Sequence, residues 1–243
     1  MYGRTSRWLA VAMSVAAMGS AAAQAKKDAM GMGSPSAKPM GAMAMDAAEY
    51  TIVFKSTWTQ ASHPFEYPEA GLVTGPHFSG IIGAAHNPSD TLFKPGMMPT
   101  PGLERLSEEG KHSPLDAEIK AAEMAGNAAF LFESGPLRDF KDSLVAVVRV
   151  DPKHQMVSLV AMIAPSPDWF AGVSNINLWE NGHWAASRTV PVYAWDSGGD
   201  DGNTYKAADV HNNPKQGTMQ AVSRHFAPSG TAVPVGTLTI TKK

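Results

Sequence analysis

Between Tyr50 and Thr241 the chain carries short runs in which apolar and polar residues alternate, the period of a half-buried strand. Tyr50-Thr51-Ile52-Val53-Phe54-Lys55 sets Tyr50, Ile52 and Phe54 on one face. Ser143–Val150 (SLVAVVRV) and Met156–Ile163 (MVSLVAMI) predict two further strands. Val173–Leu178 alternates more loosely, and Val235–Thr241 (VGTLTIT) predicts a last strand. Gly- and Pro-rich loops separate these runs at short intervals, the pattern of an antiparallel sandwich or barrel. One helix is predicted, with Ser113 as cap, Pro114 at its first position and Asp116 in its first turn. Leu115, Ile119 and Ala122 share a face that runs to about Met124, and Gly126 is placed to end it.

Upstream of Tyr50 the pattern differs. Arg4 and Arg7 precede a short apolar stretch, Trp8–Met18, and then small residues. Residues 1–25 therefore read as a secretory signal peptide cleaved after Ala23 or Ala25, the alternative being a retained anchor. Residues 26–48 lack apolar periodicity, and Gly31, Gly33, Pro35 and Pro39 break any helix, so a flexible linker is expected. Its Met30, Met32, Met40, Met43 and Met45 offer soft thioethers to Cu(I). The plainer reading is low-complexity drift, since the spacing is irregular and no His or Cys accompanies them. The folded unit is expected over residues 49–243.

Composition narrows the partners. A net charge of −2 leaves no basic field for nucleic acid or anionic lipid. No cysteine occurs, which excludes disulfides and a lipidated cysteine, and suits a bacterial periplasmic or secreted protein. No segment of the mature chain reads as transmembrane. G-x-S-x-G, Walker A and HExxH motifs are all absent.

Four blocks carry a family resemblance. The first is Ser56-Thr57-Trp58 with His63-Pro64 and Tyr67-Pro68. The second is His77-Phe78-Ser79-Gly80-Ile81-Ile82-Gly83 with Ala85-His86-Asn87. The third is Ser158-Leu159-Val160 with Pro165-Ser166-Pro167-Asp168-Trp169-Phe170. The fourth is Asp196-Ser197-Gly198-Gly199-Asp200-Asp201-Gly202. In this order they resemble the spondin N-terminal domain of F-spondin and mindin, over nearly all of residues 50–205. The resemblance implies an all-β fold, an eight-stranded antiparallel β-sandwich similar to a C2 domain, here with one short helix and long loops. It also implies an exported binding and adhesion module without catalytic activity, and loops at one end that hold Ca2+. The matching metal positions are Asp168, Asp196 and Asp200, with a nearby backbone carbonyl expected to contribute. The chain departs from the family at Leu178-Trp179, where animal relatives have a cysteine, and at Ala194-Trp195, where they have Pro-Tyr.

The residues themselves suit that chemistry. Calcium takes six to eight oxygens from carboxylates, carbonyls and water. Pro165 and Pro167 stiffen the approach to Asp168, and Ser197-Gly198-Gly199 can fold tightly between Asp196 and Asp200. Equally, Asp before Gly forms turns with its own backbone. The tryptophans at 58, 169, 179, 184 and 195 are expected in packing. His63, His77 and His86 are expected as structural hydrogen-bonding groups. The expected ligand is a protein or a glycan. Periplasmic copper handling by the methionine segment, or a hydrolase using His and Asp near the calcium loops, are the alternatives.

Overall fold

The computed structural model describes residues 46–68, 75–135, 143–208 and 210–243. The expected signal peptide and the five linker methionines lie outside the described residues. The strands are β1 (Ala48–Ser56), β2 (His77–Phe78), β3 (Ile82–His86), β4 (Ala128–Glu133), β5 (Ser143–Val150), β6 (Met156–Ala164) and β7 (Trp169–Asn177). They continue with β8 (Trp179–Glu180), β9 (His183–Trp184), β10 (Ser187–Asp196), β11 (Met219–Gln220) and β12 (Gly236–Lys242). Two helices, α1 (Pro101–Glu109) and α2 (Leu115–Met124), sit between β3 and β4.

Eight strands form one antiparallel path, β4-β3-β6-β7-β10-β12-β1-β5. Its hinge is β10. Ser187–Val192 pair with β12, whereas Tyr193–Asp196 pair with β7. The path thus passes from one layer (β5, β1, β12) to the other (β7, β6, β3, β4), and its end strands β4 and β5 approach each other. This is the expected eight-stranded antiparallel sandwich. β2 and β11 add short pairings to β6 and β10, and β8 pairs with β9 alone.

The core follows from the alternation. Tyr50, Ile52 and Phe54 of β1 meet Leu144, Ala146 and Val148 of β5, Leu238 and Ile240 of β12, and Leu159, Ala161 and Ile163 of β6. The outer face of β5 is solvated, with Val145 and Val147 exposed. The outer faces of β3, β6 and β7 are covered instead. Ile82, Val160 and Phe170 pack against Phe93, against Leu103 and Leu106 of α1, and against Leu115 and Ile119 of α2. Burial on both faces explains why β6 reads as a near-continuous apolar run.

The expected helix is α2, but Ser113 does not cap it. Pro114 occupies the N-cap position and no side chain bonds the first turn. The additional helix, α1, is bounded by Thr100, whose hydroxyl accepts from Leu103 N, and by Gly110 in the left-handed conformation. Trp58, Trp169 and Trp184 are buried, and His86 bonds Ser158 Oγ (2.8 Å) inside the β3–β6 pair. No helix of the described residues is long and apolar enough to cross a membrane.

Candidate metal centre

Asp168 ends the loop between β6 and β7, and Asp196 is the last residue of β10. Because β7 and β10 run antiparallel, with Asp196 opposite Trp169, the sheet brings the two aspartates to one end of the sandwich. Ser166 shapes the first loop. Its hydroxyl donates to Ile163 O (2.5 Å) and accepts from Trp169 N (3.1 Å), which closes the turn that presents Asp168.

Asp168 is wholly buried. Its Oδ2 accepts from Ser197 Oγ (2.7 Å) and from three successive amides, Gly198 (3.0 Å), Gly199 (2.9 Å) and Asp200 (3.2 Å). Consecutive N–H groups turned inward form an anion cradle, and the anion here is a side chain of the protein itself. Oδ1 of the same carboxylate is buried without a hydrogen-bond partner among the described residues. Burial pushes the Asp168 carboxyl above its ordinary range, and the four donors on Oδ2 oppose that shift.

Asp196 Oδ1 accepts from Gly198 N (2.9 Å). Its pKa is pushed up to about 6, first by burial and then by the negative charge of Asp168. The Gly198 amide and the Trp169 indole oppose the rise, and Asp200 adds to it. Two carboxylates in mutual repulsion, one with a dry unpartnered oxygen, are costly without a counter-charge. An all-oxygen donor set of this kind fits a hard divalent cation such as Ca2+.

Asp200 is placed differently. It is buried, but its Oδ1 accepts from Gly202 N (2.6 Å) and its Oδ2 from Val210 N (2.5 Å), so it clamps the loop that follows. The carbonyls of Gly198, Gly199 and Asp200 are turned toward residues 212–216. Asn212 Nδ2 donates to Gly198 O and Asp200 O, Asn212 N to Gly199 O, and Gln216 N to Gly198 O. Gly198 is needed at its position: its φ is 86°, and a β-carbon there would lie 2.4 Å from Gln216 O.

Two features beside these loops escaped sequence reasoning. Glu104 and Glu108 of α1 and His211 form a group whose ligand atoms all lie within 4.8 Å of one another, a convergence the three aspartates do not reach. The signal was available in the Thr100-Pro101 start and Gly110 stop of α1, which place the two glutamates one turn apart. The second is a cavity of about 830 Å³ lined by Glu66, Tyr67, Pro68, Pro165, Thr204, Tyr205 and Lys206. It takes Pro165 from the Asp168 loop and Thr204–Lys206 from the chain just after Asp200.

Comparison with known proteins bears on the family. The Spondin_N family model matches residues 48–231. Spondin-2 of Rattus norvegicus is 30% identical over 190 residues, covering 76% of this chain and 57% of that protein. Spondin-2 of Homo sapiens is 29% identical over 178 residues, 72% of this chain and 53% of that protein. Spondin-1 of Rattus norvegicus is 26% identical over 178 residues, 71% of this chain and 22% of that protein. The chain thus spans about half the length of the Spondin-2 relatives.

Proposed function

The chain belongs to the spondin N-terminal domain family, and from that premise we propose that it is an exported, non-catalytic binding module whose loop end is organised by Ca2+. Export rests on the family and on the signal-peptide reading of residues 1–25, a periplasmic location on the lack of cysteine, and an adhesive role toward a protein or glycan on the family alone. The observation that carries the calcium reading is the buried Asp168 Oδ1, unpartnered among the described residues and beside a second carboxylate held near pKa 6.

In this reading Asp168 and Asp196 hold the ion. Asp200 adds negative charge and keeps the loop from Gly198 to Gly202 in shape. The bound cation neutralises carboxylates that otherwise repel, and ties the β6–β7 loop to the segment after β10. That segment walls the cavity at Thr204–Lys206, and Tyr205 packs edge-on against Trp169 (5.4 Å). Calcium therefore steadies a concave surface of prolines and tyrosines with Glu66 and Lys206 in its lining, the place where a protein or glycan ligand would be met.

Calorimetric titration of the full chain tests this. One Ca2+ should bind per chain, with Kd on the order of 10⁻⁴–10⁻³ M as in extracellular modules. Asp168→Asn and Asp196→Asn should each remove the binding. No heat at millimolar Ca2+, or titrations of the variants that match the unaltered chain, would contradict it.

A further inference from the structure

Three ligand groups of a different chemistry stand next to the aspartate loops. Glu104 and Glu108 lie one turn apart on α1, with side chains only 12% and 13% exposed. Like charges at i and i+4 repel on a helix. Lys215 meets Glu104 Oε2 at 2.5 Å. Across from them, His211 brings Nδ1 to 3.6 Å from Glu108 Oε1. The backbone of His211 is fixed by its bridge to Asp200, so the imidazole is anchored although its side chain is 64% exposed.

Oε1 of Glu104 and Oε1 of Glu108 both lie beside Gly199. A β-carbon on Gly199 would lie 3.1 Å from Glu108 Oε1 and 3.2 Å from Glu104 Oε1. The same β-carbon would lie 3.0 Å from Glu104 Cγ, so the absence of a side chain at Gly199 is what lets both glutamates pack this close to the loop. In a tetrahedral Zn2+ site with bonds of about 2.0–2.1 Å, neighbouring ligand atoms stand about 3.4 Å apart. The His211–Glu108 separation is close to that, and the whole set lies within 4.8 Å.

We propose that Glu104, Glu108 and His211 form a second metal site, for a borderline transition ion of the Zn2+ class, distinct from the calcium loops. An imidazole with two carboxylates suits Zn2+ and disfavours Ca2+, which takes oxygen ligands. Three protein ligands leave a fourth position for water. The ion staples α1 to the 210–216 segment, which already grips the carbonyls of Gly198, Gly199 and Asp200. The proposal does not depend on calcium binding at Asp168 and Asp196.

The test is titration of the full chain with ZnCl2 in excess Ca2+, followed by Co2+ substitution and visible absorption. The unaltered chain should bind Zn2+ with a component that His211→Ala and Glu108→Gln each weaken by at least about tenfold. Its Co2+ form should show d–d bands that His211→Ala abolishes. Asp196→Asn should leave that component unchanged, which separates this site from the calcium reading. Absence of Zn2+ binding, or binding and Co2+ bands equal in the unaltered chain and in both folded variants, overturns the proposal.

Discussion

The two oxygens of Asp168 meet different surroundings. Oδ2 collects a hydroxyl and three amides, while Oδ1 has none. Asp196 titrates near pH 6, above the usual Asp value near 3.9, so the metal-free fold binds more protons than the unfolded chain between those values. The stability Asp196 contributes is thus present below about pH 4 and is lost as pH rises through 6. In chelator, stability should rise by about 1–2 kcal/mol as pH falls from 7 to 5, and the melting temperature should rise with it. Asp196→Asn should flatten that rise, as read by thermal melts across the pH range. Gly198→Ala should cost about 2 kcal/mol or more in chemical denaturation, because its φ is positive and Gln216 O blocks the β-carbon. At this scale Asp168 and Asp196 were legible from their motifs. The capture of both Asp200 oxygens was not, because one donor, Val210 N, is 10 residues away across a loop.

Elements with one wet face announced themselves. β1, β5 and β12 alternate because one side is core and the other solvent, and β6 was legible as a strand although both its faces are covered. β3 (IGAAH) is buried throughout and built of small residues, so it has neither alternation nor bulk to signal a strand. β10 contains Pro191, which ordinarily argues against a strand inside a sheet. It is tolerated because β10 pairs only with β12 over Ser187–Val192 and acquires β7 later. The helices hold each other through a contact no local pattern reveals. Glu118 of α2 accepts from the Thr100 hydroxyl (2.6 Å) and from Gly102 N (2.7 Å), so it caps the start of α1. Glu118→Ala should cost about 1–3 kcal/mol in denaturant unfolding by stripping both donors of their acceptor. It should also loosen the helix that carries Glu104 and Glu108.

For the whole molecule, the antiparallel β7–β10 pair is the structural reason Asp168 and Asp196 come to the same end. It gathers residues 28 apart in sequence to one end of the sandwich, and burial there turns two ordinary carboxylates into a strained pair. The sandwich itself was legible from strand periodicity and the order of the family blocks. The outer helical layer was half legible, since α1 lies between blocks and carries no family motif. The central claim is that a cation relieves the Asp168–Asp196 strain, and the most direct measurement is thermal unfolding of the full chain at pH 7 in chelator and in 10 mM Ca2+. A Kd on the order of 10⁻⁴–10⁻³ M predicts a rise of about 3–10 °C, and none for Asp196→Asn. Coincident melting curves for the unaltered chain with and without calcium would contradict it.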